Sequence, residues 1–365
     1  MHKILVIGTG TIGQPLIGLL ADFSRAIDVD VFFHKRTPLL EEVAKVNRMI
    51  NRGAKLVVNK GHVDAFQTLG HAVVLEGLER AIEQSDVIID CTPAGNKNRL
   101  LYEKYAHGKD AFSPQGMHRR FIAQGSEKGF GTPYAYNIVP YSTVKDSTFI
   151  QVVSCNTHTI AALIHALAPN LIDLYHGDFT CIRRANDISQ DNDFIAGPVV
   201  GKHDNSRYGT HHAADVVRLF DRDIPIFSSA MKINSQYMHT IRFNMIIKRD
   251  RGHDQTPDNI IALLQKNPLI GLTHRNSTNR VFSFGRDEGY YGRILNQAVV
   301  STPSLHVRNI VYNNKAAAMV TGFCFTPQDG NSLLSSIAAA LIATKGSKFK
   351  NYIDSVYSDM VFQTI

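Results

Sequence analysis

The chain lacks paired cysteines, a long apolar run and a basic block, and each absence excludes a class of protein. Its four cysteines, Cys91, Cys155, Cys181 and Cys324, show no paired spacing. That argues against a disulfide framework and against a zinc ribbon. The longest apolar stretch, Ser332 to Thr344, is rich in alanine and too short to span a bilayer. Met1-His2-Lys3 leads into an apolar run that stops at Gly8, too short for the core of a signal peptide. The expectation is a soluble, cytoplasmic protein with no membrane partner. The formal charge is +7, yet the basic residues are dispersed and no basic stretch is interleaved with aromatics. Nucleic acid is therefore not expected as a partner. A modest positive field suits small anions such as phosphates. There is no internal repeat and no low-complexity segment.

What is present is an alternation of strand and helix signals. Lys3 to Ile7 reads as a strand, followed by Gly8-Thr9-Gly10-Thr11-Ile12-Gly13 and a helix whose Ile12, Leu16, Leu19, Leu20 and Phe23 share one face. Val29 to Phe33, Ala54 to Val58, His71 to Val74, Asp86 to Asp90 and Phe149 to Val153 read as further strands, with helices at Leu39 to Met49 and Leu78 to Gln84. This alternation means a parallel sheet with both faces covered. Beyond residue 155 the texture changes. Leu171 to Arg183, Met238 to Lys248 and Asn309 to Phe325 read as strands, the last broken by a turn at Asn313-Asn314. Asn186 to Thr210 reads as loop, Pro257 to Lys266 as helix, and Asn331 to about Tyr357 as helix.

Gly8, Gly10 and Gly13 match the dinucleotide fingerprint in the required strand–turn–helix setting. The first glycine permits a tight turn, the second lets the pyrophosphate approach the backbone, and the third lets helix and strand pack closely. The pyrophosphate rests on the helix N-terminus, so Thr11 and Ile12 join the glycines as cofactor contacts. An NAD site usually carries Asp or Glu at the end of the second strand. Here that carboxylate is missing, and Lys35, Arg36 and Thr37 stand in its place. Two cations and a hydroxyl suit a 2′-phosphate, which favours NADP over NAD; solvated surface charges are the competing reading.

Cys155 lies between an apolar strand and a helix in which Ile160, Leu163, Ile164 and Leu167 recur at helical spacing. Free N–H groups and the positive end of the helix dipole lower a thiol pKa there, and a thiolate adds to an aldehyde. The competing reading is a buried structural cysteine. Asn156 and Thr157 offer backbone N–H groups to a developing oxyanion.

With those residues in view, the chain resembles the archaeal-type (type II) glyceraldehyde-3-phosphate dehydrogenases, nearly end to end. The matching segments are Gly8 to Gly13; Lys35-Arg36-Thr37-Pro38; Asp86 to Asp90 with Thr92-Pro93-Ala94-Gly95 and Asn96-Lys97-Asn98; Gln124-Gly125-Ser126-Glu127-Lys128; Val152-Val153-Ser154-Cys155-Asn156-Thr157; Arg183-Arg184-Ala185; Thr210-His211-His212 with Asp215-Val216; and Met238-His239. The Cys155 motif is the most specific of them. The chain departs from the family pattern at His158, at Tyr208-Gly209, at Thr240-Ile241 and at Pro327-Gln328-Asp329-Gly330.

The resemblance implies an α/β protein with an N-terminal Rossmann domain over 1–154 and an α+β catalytic domain with a mixed or antiparallel sheet over 155–330. The C-terminal segment 331–365 would pack back on the first domain. It implies a glycolytic oxidoreductase, a homotetramer using NADP or NAD on a small phosphorylated aldehyde and inorganic phosphate. The route would run through a Cys155 thiohemiacetal and a thioester. It adds Thr92, Gln124, Gly125 and Asn331 to the cofactor contacts. Ser154, Asn156, Thr157, Arg183, Arg184, Thr210, His211 and His212 become substrate contacts. His239 becomes the general base, because a histidine pKa lies near working pH. Arg183 and Arg184 are adjacent on a strand and point to opposite faces, so one of them reaches the site. His203, His211, His212 and Asp215 are ligand types close in sequence, but adjacent histidines on an extended segment diverge, so no metal is expected. A semialdehyde dehydrogenase acting on another anionic aldehyde, or a non-catalytic nucleotide-binding regulator, are the alternatives.

Overall fold

A computed structural model describes residues 1–125, 127–187, 190, 194–327 and 329–365. Ser126 and Gln328, named in the motifs above, and part of the 186–210 loop lie outside the described residues. The chain divides into two compact units, Met1–Val153 with Ser332–Ser358, and Ser154–Asn331 with Asp359–Ile365.

The first unit is built on eight parallel strands. They are β1 (His2–Ile7), β2 (Val29–Lys35), β3 (Lys55–Val58), β4 (Val73–Glu76), β5 (Val87–Asp90), β6 (Arg120–Gln124), β7 (Thr132–Tyr134) and β8 (Phe149–Val152). Their order is β4-β3-β2-β1-β5-β6-β8-β7. The expected Rossmann-type α/β architecture is therefore present. The order reverses between β1 and β5, and such a reversal opens a ligand crevice at the carboxyl ends of the strands. Ile7 pairs with His34 on one side and Asp90 on the other, so three strand ends meet there. β6 and β7 were not visible in the sequence pattern. β6 holds only three apolar residues in a row, and β7 carries Pro133, which suits its place at the sheet edge. One face of the sheet buries Leu5, Ile88, Phe121 and Phe130 around Tyr102.

The second unit holds β9 (Leu174–Arg183), β10 (Val199–Val200), β11 (Ile226–Lys232), β12 (His239–Lys248), β13 (Ile270–Thr273), β14 (Ala298–Ser301), β15 (His306–Tyr312) and β16 (Lys315–Thr326). They form a mixed sheet in the order β10-β11-β9-β12-β16-β14-β13, with β15 on the free flank of β16. The expected mixed sheet is thus present, its β11–β9 and β13–β14 pairs being parallel. Asn313 and Asn314 both have positive φ, +48° and +61°, which is the turn geometry a two-residue hairpin requires.

One expectation is corrected. The segment after Thr210 is a helix, His211–Phe220, not an extended stretch. Its Ala213, Val216 and Leu219 bury one face at helical spacing, a signal hidden by the polar run before it. The C-terminal segment 331–365 is divided: Ser332–Ser358 is grouped with the first unit and Asp359–Ile365 with the second. Helices occupy Gly330–Lys345 and Phe349–Tyr357, but the last residues pair with β13, Leu272 donating to the Gln363 carbonyl and Ile365 donating to the Leu272 carbonyl, both at 2.9 Å. No described helix is long and apolar enough to cross a membrane.

Candidate active site

In the first unit the glycine turn follows β1 and leads into the helix Gly13–Asp22. Gly8 sits at φ +94°, a conformation that penalises any side chain. A Cβ on Gly13 would lie 2.1 Å from the Gly8 carbonyl oxygen, so only glycine lets the helix approach the strand this closely. A Cβ on Gly10 would meet nothing within 4 Å. The space at Gly10 is therefore open to a ligand rather than filled by protein. These three environments match the three roles of the fingerprint glycines, so the turn fits a dinucleotide pyrophosphate. Thr11 and Ile12 are partly exposed in the same turn.

The turn after β5 is held by Asp90, which is fully buried. Its carboxylate accepts from the Thr92 N–H at 2.8 Å, the Thr92 hydroxyl at 2.7 Å, Asn98 Nδ2 at 2.8 Å and the Tyr102 hydroxyl at 2.6 Å. Hydrogen bonds to a buried carboxylate are individually strong. Four of them fix Thr92 and the start of the helix Gly95–Glu103 at the strand reversal. The Cys91 backbone lies against Gly8, 3.3 Å from where its Cβ would be. Asp90 was not a candidate in the sequence, since nothing local marks a carboxylate whose donors sit up to twelve residues away.

At the end of β2 the two cations differ. The Lys35 ammonium is ion-paired with Glu42, which also pairs with Lys45. Arg36 and Thr37 are exposed, and among the described residues no carboxylate is paired with Arg36. His34 is buried and hydrogen-bonded to Asn59 at 2.9 Å. Burial pushes its pKa down, partly opposed by that bond. Gln124 closes β6 and is buried, its amide nitrogen on the Ser336 hydroxyl, while its Oε1 is buried with no hydrogen-bond partner among the described residues. Gly125 follows at φ +73°.

In the second unit Cys155 is the first residue of the helix Cys155–Leu167 and is partly exposed. Ser154 caps this helix. Its hydroxyl accepts from the Thr157 N–H at 3.4 Å and contacts the Thr157 hydroxyl at 2.8 Å. Both candidate side chains are thus engaged with each other. His158 is fully buried and turns back on the cap, its Nδ1 at 3.0 Å from the Ser154 carbonyl. The expected low thiol pKa is not found: desolvation, then Asp329, push Cys155 up to about 12, while Arg184 and the Asn156 N–H pull the other way. The helix start does act on the sulfur, but burial outweighs it.

Arg184, just past β9, is the arginine of the pair that turns inward; Arg183 is half-exposed. Its Nη2 reaches Asp187 at 2.6 Å and Asp329 at 3.3 Å. Burial works against its charge, but Asp329, Cys155 and Asp187 together raise its pKa. The Arg184 backbone N–H donates to His239 Nδ1 at 3.1 Å. Burial, then Arg184 and Arg183, hold the His239 pKa well below its ordinary value. A neutral ring with an accepting Nδ1 carries its proton on Nε2. The other ring nitrogen of His239, Nε2, is then the proton-bearing one.

His239 pairs across the sheet with Thr326. The Thr326 hydroxyl donates to Asn156 Oδ1 at 3.2 Å, and that of Thr159 to Thr326 at 3.2 Å. Asn331 Nδ2 donates to the Cys155 carbonyl at 3.0 Å. Thr326, Thr159, Asn156 and Asn331 are thus hydrogen-bonded around the start of the cysteine helix, and the Arg184–His239 pair stands beside them, His239 opposite Thr326 on the neighbouring strand. Asn331, expected as a cofactor contact, holds the cysteine segment through this bond. Arg293, which the sequence pattern did not reveal, is buried with its Nη1 donating to the Tyr291 carbonyl at 2.6 Å, and it lies within the electrostatic influence of Asp329, Arg184 and Asp187.

The other substrate candidates form a second group. Thr210 is buried with its hydroxyl 2.7 Å from that of Ser228. His211 and His212 open their helix with ring centroids 4.0 Å apart. That helix packs on the cysteine helix. Among the described residues no three His, Cys, Asp or Glu side chains are grouped to hold a metal.

No family model matches the chain. Curated proteins do. Over 257 residues it is 31% identical to glyceraldehyde-3-phosphate dehydrogenase 2 of Methanosarcina acetivorans, covering 68% of each chain. It is 28% identical over 292 residues to glyceraldehyde-3-phosphate dehydrogenase 1 of Methanosarcina barkeri, covering 78% of each. It is 27% identical over 314 residues to the glyceraldehyde-3-phosphate dehydrogenase of Sulfolobus acidocaldarius, covering 83% of each.

Proposed function

The chain belongs to the archaeal-type glyceraldehyde-3-phosphate dehydrogenase family, and from that membership we propose that it is a phosphorylating aldehyde dehydrogenase acting on glyceraldehyde 3-phosphate. The observation that carries the reading is the cluster around Cys155: a nucleophile at a helix start, a buried arginine and a histidine tied to that arginine's backbone.

Cys155 Sγ adds to the aldehyde carbon, the thiol proton leaves, and a thiohemiacetal oxygen gains negative charge. His239 Nε2–H and the N–H groups at the start of the cysteine helix are the donors suited to that charge. Such a donor contributes about two to three orders of magnitude in rate. Loss of hydride from the same carbon then gives a thioester on Cys155. When bound, the nicotinamide cofactor accepts that hydride. A phosphate oxygen attacks the thioester, the C–S bond breaks, and Cys155 recovers its thiol with release of an acyl phosphate. Aldehyde, oxidised cofactor and phosphate thus become acyl phosphate, reduced cofactor and one proton. Gly8, Gly10, Gly13 and Thr92 would hold the dinucleotide. NADP is preferred over NAD because Arg36 and Thr37 face solvent without a competing carboxylate. A homotetramer in the cytoplasm is the proposed state, and light scattering on the purified protein tests its size.

The test of the activity is an aldehyde panel with NADP and NAD, with and without phosphate. Cys155→Ser should abolish turnover and leave cofactor affinity within about twofold, because nucleophile and glycine turn belong to different units. Near-parental turnover in that variant would refute the thioester route. Activity confined to a carboxylated semialdehyde would overturn the substrate.

A further inference from the structure

Glu42 stands at the cap position of the helix Val43–Asn51, yet its side chain makes no capping hydrogen bond to that helix. A carboxylate at a helix start is ordinarily drawn to the free N–H groups of the first turn. This one turns instead to two ammonium groups, Lys35 at the end of β2 and Lys45 one turn along the helix. Burial works against its charge, but Lys35 and Lys45 outweigh that and hold its pKa below the ordinary carboxylate value. The Lys35 side chain is 12% exposed and that of Glu42 20%, so water screens their pair less than it screens a surface pair.

The pair lies where NADP and NAD differ. The Gly8 N–H donates to the His34 carbonyl at 3.4 Å, so the residue after His34 stands beside the first glycine of the turn. With a pyrophosphate on that turn, the adenosine ribose falls at the end of β2, where its 2′ position meets either a carboxylate or a cation. This chain brings both to one point. Lys35 is the cation, and Glu42 supplies, from the turn that follows, the carboxylate that the strand end itself lacks. Arg36 beside them is exposed. The two cations are therefore unequal: the guanidinium is ready for a phosphate dianion, and the ammonium is already neutralised.

We propose that Glu42 is a specificity-determining residue at the 2′ position of the cofactor: its carboxylate withholds Lys35 from a 2′-phosphate and so limits the preference for NADP over NAD. The inference rests on the cofactor placement proposed above. It names the residue that restrains the preference, whereas Arg36 creates it. With the carboxylate gone, Lys35 becomes a second cation for the 2′-phosphate. NAD carries no charge at that position, so its affinity does not depend on freeing Lys35.

The experiment measures the Kd of NADP and of NAD by fluorescence titration at fixed ionic strength, in the parent and in Glu42→Gln. NADP should tighten by about 10-fold, the lower end for one charge-assisted contact, while NAD stays within about twofold. Glu42→Ala should show the same shift, and because Glu42 caps no N–H group both variants should keep a Tm near the parental one. A cycle with Lys35 assigns the effect. Lys35→Ala alone should cost NADP little, and in the Glu42→Gln background it should erase the whole gain. An unchanged ratio of NADP to NAD affinity in both Glu42 variants overturns the proposal. A gain that survives Lys35→Ala overturns it too, since it would come from a diffuse loss of negative charge. Arg36→Ala tests the placement by itself: equal weakening of NADP and NAD would put the 2′-phosphate elsewhere than the end of β2. The Glu42 ratio is read independently of that result, so the restraint and the placement fail separately.

Discussion

Gly10→Ala should separate folding from cofactor binding. The added methyl meets nothing within 4 Å, so the folded unit gains no clash. Reduced freedom of the unfolded chain is worth about 0.4–1 kcal/mol in favour of folding. The Tm should hold or rise slightly. Binding behaves differently, because the methyl occupies the path by which the pyrophosphate reaches the backbone of the turn. Charge-assisted hydrogen bonds are worth about 1.5–3 kcal/mol each. Losing two of them weakens the cofactor by at least about 100-fold. Gly13→Ala is the control with the opposite order of effects. Its Cβ would stand 2.1 Å from the Gly8 carbonyl oxygen and 2.9 Å from the Gly8 carbonyl carbon, and backbone cannot swing aside as a side chain does. Overpacking of this kind costs about 1–3 kcal/mol. At roughly 2–4 °C per kcal/mol for a unit of this size, Tm should fall by several degrees. Calorimetry reads the Tm, and cofactor titration by fluorescence reads the affinity. Parental affinity in Gly10→Ala would refute the pyrophosphate site at this turn. Parental Tm in Gly13→Ala would refute the packing argument.

Three further outcomes are expected. The Cys155 thiol, pushed up to about 12, should be alkylated by iodoacetamide at pH 8 roughly three orders of magnitude more slowly than a free thiol; Asp329→Asn should speed it, and a rate equal to that of free cysteine in the parent would contradict the burial argument. Arg36→Ala should weaken NADP relative to NAD by about 10-fold or more, whereas Lys35→Ala, whose ammonium already pairs with Glu42, should cost less; equal effects would show that the ion pair opens for the cofactor. His239 is neutral in the folded chain, with its pKa held well below the ordinary value. The unfolded ring binds its proton near pH 6.5, so this contribution to stability is complete above that value and declines as pH falls through it, by up to about 1.4 kcal/mol at pH 5.5. Urea titrations at pH 7.5 and 5.5 should show a smaller decline in His239→Asn, and an identical decline would remove His239 from the account.

The glycine turn was legible because all of its parts are local: strand, three glycines and helix lie within one short stretch. The same holds for the Asn313-Asn314 hairpin and the helix that starts at Cys155. His211 and His212 were misread as extended because a polar loop precedes them and only three later residues show the helical period. Asp90, Arg293 and Asp329 could not be found at all by pattern. Asp329 reaches Arg184 across 145 positions, and Asp90 gathers donors at two, eight and twelve residues on, spacings that follow no helix or strand period.

Residue order alone determined where the chain turns, which residues alternate into a sheet, and that a thiol opens a helix. Those features depend on backbone preferences and periodicity, which act over a few residues. Tertiary structure alone decided the chemical state of what was placed there. It left Lys35 paired with Glu42 and Arg36 in solvent, gave His239 a proton on Nε2 through the Arg184 N–H, and turned an expected thiolate into a thiol. Charge and protonation depend on burial and on neighbours distant in sequence, and only folding brings those together.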